Sequence, residues 1–299
     1  MTLALLGLHL AVTGALLPRW LTRSARLQAR LQTRPTAAAA LWLALMASFL
    51  VALLLAAHHT VEPFAHEPAG LVGLFPHTEP TGAVLPHTHD WWLLAAAGAV
   101  PGTVAAAVGV RAGRVRRRHR ALLDVVAVRD GRWDALVLEH ARPTVYCLPG
   151  RRSRVVLSRG ALRLLDERQL AAAVAHEHGH LRGRHHLFRL PADTFALLFG
   201  RLPLARLGRA QVALLLEMAA DDAALARASR TELASALCVL ATSAGPPEAA
   251  LAVASTGVLA RVQRLARPGP AHRRDRLAWR TAVLAAPLLP YLLACAPHP

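Results

Sequence analysis

The sequence predicts an α+β, mostly helical fold: a domain with a small sheet carried on a multi-pass helical membrane anchor. Three observations lead there. Hydrophobic residues fill 54% of the 299 positions and the mean hydropathy is +0.34, which is high for a chain surrounded by water. Many of the apolar residues are gathered into runs close to a membrane's thickness, each with an arginine cluster beside it. Between the third run and the last lies a stretch of mixed charged and apolar composition, where short strand-like segments give way to long helical ones.

The anchor is read from those runs in order. Residues 2–17 are short for a span of about 20 residues and lack the positive leading region of a signal peptide. Arg19, Arg23, Arg26, Arg30 and Arg34 follow instead, which puts that loop in the cytoplasm and the N-terminus outside. Residues 37–57 are nearly uncharged and return the chain to the outer face. Residues 58–92 hold no arginine but several prolines and six histidines: His58, His59, His66, His77, His87 and His89. This is the pattern of an outward-facing loop. Its histidines read as composition drift, with metal binding or pH sensing as the sharper alternative. Trp91 and Trp92 stand at an interface position before the third run, 93–110, which contains Pro101 and stops at Arg111, Arg114, Arg116, Arg117, Arg118 and Arg120. The final run, 279–295, follows Arg273, Arg274 and Arg276 and crosses outward. The expectation is four spans with both termini outside. Residues 1–120 form an anchor with three spans, 121–276 a cytoplasmic domain, and 277–299 a last span with a short outer tail.

The formal charge of +17 comes from 35 basic residues, all of them arginine, against 18 acidic ones. Because those arginines flank apolar runs, topology explains them better than nucleic-acid binding, and no nucleic-acid partner is expected. Cys147, Cys238 and Cys295 are far apart with no CxxC spacing, so neither a disulfide framework nor a cysteine zinc site is predicted. Any metal must be held by histidines and carboxylates.

Within the domain, strands are expected at 125–128, 135–138, 145–148 and 155–157, separated by turn signals such as Asp130-Gly131 and Pro149-Gly150. Helices are expected at 170–180, 210–226 and 230–243. Residues 187–204 are apolar but interrupted by Arg189, Asp193 and Arg201, the pattern of an amphipathic or membrane-dipping segment.

The chemistry lies in two of these helices. His176-Glu177-His178-Gly179-His180 matches HExxH at the end of an apolar stretch. At 100° per residue, His176 and His180 sit about 40° apart and one turn apart in height, so both imidazoles reach one Zn²⁺. Glu177 follows the first ligand directly, placing its carboxylate beside the attacking water and not on the metal. The third ligand is sought in Glu217-Met218-Ala219-Ala220-Asp221-Asp222, where Glu217 and Asp221 share a helix face at i and i+4. Asp221 would hydrogen-bond an imidazole N–H from behind, fixing its tautomer. His178 points about 200° from His176 and is expected to be structural. His185 and His186, with Arg182 and Arg184, read as a basic surface, and the cysteines as small hydrophobes.

HEHGHLRGRHH after an apolar helix, then EMAADDAA, then Arg261-Val262-Gln263-Arg264-Leu265, resembles the BlaR/MecR-type membrane zinc metallopeptidases, with HtpX- and Ste-type peptidases as more distant relatives. The resemblance implies a gluzincin-like domain acting as an endopeptidase on a cytoplasmic or membrane-proximal protein. In it His176, His180 and Glu217 are Zn²⁺ ligands and Glu177 is the general base. It also implies that a peptide adds as a further strand along Val155-Val156-Leu157-Ser158, so Val156 is a substrate-binding candidate. Arg261 is either structural or substrate-binding. Receptor members carry a penicillin-binding sensor after the last span, and this sequence ends a few residues past it, so no sensing by that route is expected. Two rivals stand beside this reading: a quality-control protease of HtpX type, and a silent scaffold that keeps zinc for structure. The complete HExxH argues against the scaffold, which would not need the base.

Overall fold

The computed structural model describes residues 2–65, 91–150, 152–243, 250–267 and 276–294. The N-terminal part is helical throughout. Helix α1 (Thr2–Ala11) passes through a π-helical turn (Val12–Leu16) into α2 (Leu17–Arg23). Pro18 has no N–H to return to the preceding turn, and the wider π turn accommodates that loss. Ser24 ends α2 and caps α3 (Ala25–Thr33) by accepting from the Leu27 N–H. Helix α4 (Pro35–Ala65) packs on α1, where His9 Nε2 meets Ser48 Oγ at 2.9 Å. Among the described residues, Thr2–Arg23 and Pro35–Thr60 are long and apolar enough to cross a membrane.

The third expected span lies inside α5 (Trp91–Val126), a continuous helix that runs on through its arginine-rich half. The last expected span is broken: α12 (Arg276–Ala285) and α13 (Leu289–Ala294) are separated by a turn, and Cys295 lies outside the described residues. Neither segment joins the two long apolar ones among the described residues. Of the histidine-rich outer loop, His58 and His59 fall at the end of α4, while His66, His77, His87 and His89 lie outside the described residues.

The sheet contains β1 (Ala127–Asp130), β2 (Ala135–Leu138), β3 (Val145–Leu148) and β4 (Arg154–Ser158), ordered β1-β2-β4-β3. Strand β1 begins two residues later than the sequence predicts because α5 absorbs Val125 and Val126. β4 pairs in parallel with β2 and antiparallel with β3. It is therefore an inner strand, which corrects the expectation that Val155–Ser158 is an edge. The physical reason is in its composition. Val155, Val156 and Leu157 are all fully buried, because alternate side chains enter cores on opposite faces. Val155 and Leu157 meet Leu170, Ala173 and Val174, while Val156 packs with Leu123 and Leu148. Val156 thus has no surface left for a substrate. The strand next to the following helices, bonded on one side only among the described residues, is β3.

The remaining helices are α6 (Arg159–Leu164), α7 (Glu167–Arg182), α8 (His185–Phe199), α9 (Pro203–Ala224), α10 (Arg230–Ser243) and α11 (Ala250–Ala266). The segment 187–204 resolves into α8, a turn and the start of α9. Phe195 and Phe199 of α8 stack edge-on against Phe49 of α4, with centroids 5.8 and 5.6 Å away. α9 is the central helix of the domain. One face receives α4 at Gly208, where an added Cβ would lie 3.3 Å from the Trp42 ring and 2.5 Å from Met46 Cε. Another receives α7 at Gly179, where an added Cβ would stand 2.9 Å from the Ala220 carbonyl oxygen. The long apolar helix and the HExxH helix are thus held on one common partner, and a single apolar core joins α2, α3, α4, α8 and α9.

Candidate metal centre

Helix α7 is nucleated by a capping box, in which Asp166 accepts from the Gln169 N–H and the Gln169 side chain accepts from the Asp166 N–H. Its apolar face, from Leu170 to Ala175, is buried, and His176 follows on the same inward side. The close approach at Gly179 brings the end of α7 against the last turns of α9, beside Glu217 and Asp221. His180 Nε2 lies 3.1 Å from His176 Nε2, and the two Nε2 atoms are 3.5 and 3.4 Å from the Glu217 carboxylate oxygens. One donor atom from each of the three residues lies within 4.8 Å of the others. The remaining ring nitrogen of His176, Nδ1, is 2.9 Å from Asp221 Oδ1.

α11 closes the site from behind. Arg261 donates through Nε to Asp221 Oδ2 at 2.8 Å, through Nη2 to Oδ1 at 2.7 Å, and through Nη1 to Glu217 Oε2 at 3.1 Å. One turn on, Arg264 grips Asp222 through both carboxylate oxygens at 2.8 Å and reaches the Gln32 carbonyl at 3.0 Å. The Arg-x-x-Arg spacing therefore holds the Asp-Asp pair of α9, each arginine on its own carboxylate. Arg261 is buried, and its three bonds to carboxylates give it a structural place, where the sequence left substrate binding open.

The electrostatics follow from that crowding. Burial alone would raise the Glu217 carboxyl, but hydrogen bonds from His176 and His180 and the Arg261 charge hold it well below the usual range. Burial would lower His176, yet its bonds to Asp221 and Glu217 lift it to about 9. Glu177 is not one of the three donors, but it interacts electrostatically with all of them. Burial pushes its carboxyl up against the pull of the His176 charge, and the Cys147 thiol of β3 donates to it. Glu177, Glu217 and Asp221 set three carboxyl groups against one guanidinium and the His176 imidazole, whose proton a bound cation would displace. Two imidazoles and a carboxylate around an open side form the donor set of a catalytic zinc.

Two residues of the site escaped the sequence reading. His185 is buried, with Nδ1 2.9 Å from His180 Nδ1. It gets there because Arg184 adopts the left-handed conformation (φ 48°), folding the start of α8 back over the end of α7. Gly183 leaves the room, since a Cβ there would collide with the His185 ring. Burial and the neighbouring His180 hold His185 down at about 4, so it is neutral. Cys147, read as a small hydrophobe, touches the proposed base. His178 lies away from the cluster, near Arg182, Arg227 and Asp134.

A helical domain with a four-stranded sheet and a His, His, Glu cluster on two crossing helices is the architecture of a metallopeptidase. Residues 110–273 match the model of Peptidase family M48, and the chain belongs to that family. No curated protein and no solved structure matches it significantly.

Proposed function

We propose that the chain is an integral membrane zinc endopeptidase that cleaves a cytoplasmic or membrane-proximal protein, with His176, His180 and Glu217 as metal ligands and Glu177 as general base. The observation that carries this reading is the convergence of three donor atoms within 4.8 Å, with Asp221 on the outer nitrogen of His176. When bound, Zn²⁺ supplies Lewis acidity toward the scissile carbonyl and toward water.

The chain's own residues divide the remaining work. Glu177 accepts the proton of the attacking water and returns it to the leaving amine, and its raised carboxyl suits a group that must take and give a proton. Asp221 accepts the Nδ1 proton of His176, which turns the Nε2 lone pair to the metal side. His185, being neutral, can accept at Nδ1 from His180 Nδ1–H and fix the second tautomer in the same way. Arg261 orients the carboxylates of Glu217 and Asp221 together. The strand beside the base is β3, so a peptide substrate would lie along β3.

The membrane part of the reading rests on the two long apolar segments and on arginine clusters at the inner boundaries, with the domain inside and both termini outside. The HEHGHLRGRHH and EMAADDAA motifs support a BlaR/MecR-type enzyme with a regulator in signal transduction as substrate. Zinc content and peptide cleavage, measured together on the purified chain, test the reading. One tightly held zinc with zinc-dependent cleavage is expected; a chain that neither holds zinc nor cleaves would end it. Degradation of unfolded membrane proteins without sequence preference would make it HtpX-type.

A further inference from the structure

Helix α5 carries Arg111, Arg114 and Arg118 at i, i+3 and i+7, so the three share one face. With Val115 they line an open groove of about 410 Å³. The fold uses the opposite face. There a Cβ added at Gly109 would lie 3.7 Å from Leu190 of α8, His119 Nε2 stands 2.8 Å from the Tyr146 hydroxyl, and Arg120 donates to the Pro149 carbonyl. Among the described residues the three groove arginines enter no hydrogen bond or ion pair. Their own helix offers none, because residues 91–123 contain no Asp or Glu. The groove begins where the apolar run 93–110 ends. At about 1.5 Å per residue, the seven steps from Arg111 to Arg118 cover roughly 10 Å, close to the depth of a headgroup layer. Side chains lean toward the N-terminus of their helix, which for α5 is the bilayer side, so the long arginine stems reach back over that layer.

We propose that this face of α5 binds an anionic phospholipid of the inner leaflet, with the headgroup phosphate among Arg111, Arg114 and Arg118 and the start of an acyl chain against Ala107 and Val110. Guanidinium forks match phosphate oxygens, and Ala107 and Val110, one turn nearer the bilayer, are exposed. A zwitterionic lipid also brings a phosphate, but with its own cation beside it, so an unpaired row of arginines favours the anionic one. Nucleic acid fits less well, since no aromatic side chain lines the groove to stack a base. The inference rests on the membrane-embedded reading of the chain.

The test uses the full-length chain. Alkaline extraction of membranes first asks whether it is integral; release into the supernatant would overturn the membrane reading and the lipid site with it. Native mass spectrometry from detergent then compares phosphatidylglycerol with phosphatidylcholine of the same chains. The wild type is expected to retain phosphatidylglycerol in preference. Arg111→Gln, Arg114→Gln and Arg118→Gln combined should weaken that retention by about 100-fold, roughly fivefold for each cation removed near the surface. Lys at the same three positions keeps the charge and should keep the preference, which separates loss of the site from loss of the fold. Arg163→Gln, Arg227→Gln and Arg230→Gln combined, the same change in net charge at exposed positions of the domain, should leave retention as in the wild type. Glycerol phosphate at millimolar concentration should fail to displace the lipid. Equal retention of both lipids, undiminished retention in the Gln variant of α5, loss of the preference in the Lys variant, an equal fall in the domain variant, or displacement by glycerol phosphate would each overturn the site while leaving the membrane reading intact.

Discussion

Gly179→Ala is the perturbation that asks most directly whether the crossing of α7 and α9 sets the spacing of the metal ligands. A Cβ at position 179 would stand 2.9 Å from the Ala220 carbonyl oxygen, 3.1 Å from Ala220 Cα and 3.2 Å from Ala223 Cβ. The closest of these neighbours is backbone, so the helices must part rather than a side chain swing away. Reaching an ordinary contact of roughly 3.4 Å requires an opening of about 0.5 Å. Glu217 lies on the same α9 surface one turn before the contact, so its separation from His180, now 3.5 Å, widens by a similar amount. Since a misplacement of about 1 Å can cost about 10²-fold, half of that predicts a loss of about 10-fold in kcat/KM, with a comparable fall in zinc affinity. Stability should change less. The overpacking costs about 1–3 kcal/mol, while replacing glycine inside a helix returns about 1 kcal/mol, so a net loss of about 0–2 kcal/mol is expected. Chelator competition gives the zinc affinity, peptide cleavage the kcat/KM, and a thermal melt the stability. Gly113→Ala on α5, with nothing within 4 Å of the added Cβ, reports the helix-propensity gain alone. If Gly179→Ala keeps wild-type zinc affinity and kcat/KM, the close approach does not set the ligand spacing.

Other outcomes follow from the same contacts. His185→Ala should lower zinc affinity by about 10-fold to 100-fold, the scale of losing a residue that orients a ligand imidazole; chelator competition measures it, and wild-type affinity would leave His185 a packing residue. Gly183→Ala should do the same by displacing the His185 ring, the nearest group to the added Cβ. Arg261→Ala strips Asp221 of its two guanidinium bonds in a buried place and should cost about 3–5 kcal/mol in denaturant unfolding; a loss below about 1 kcal/mol would show that the ion pair is not needed. A reporter fused after Gly150 should read as cytoplasmic, and an external signal would reverse the topology and remove the proposed class of substrate.

The residues that form the cluster were legible because their spacing is a property of one helix at a time. His176 and His180 are one turn apart on α7, and Glu217 and Asp221 one turn apart on α9. Periodicity therefore found both faces and most of both helices. The order of the strands was not legible. Val155-Val156-Leu157 reads as a continuous apolar run, which marks a strand covered on both faces and so argues for the inner position that β4 occupies. The resemblance drew attention to it as an edge instead. His185 was hidden because its place depends on one left-handed residue, Arg184, and no periodic pattern announces a reversal at an arginine. The two long apolar helices were plain in composition, while the break between α12 and α13 was not, since the apolar run continues through it. The grip of α11 on α9 appeared in the sequence only as arginines at i and i+3, with no sign of which carboxylates they would meet.

The central claim is the division of labour between the two glutamates, and zinc content by atomic spectroscopy beside peptide cleavage tests it. Glu177→Gln should keep about one Zn²⁺ per chain while turnover falls by about 10² or more, the scale of removing a general base. Glu217→Ala should lose zinc and activity together, because it removes one of the three donors proposed to hold the metal. An active Glu177→Gln enzyme, or a Glu217→Ala enzyme with full zinc and full activity, would contradict the account.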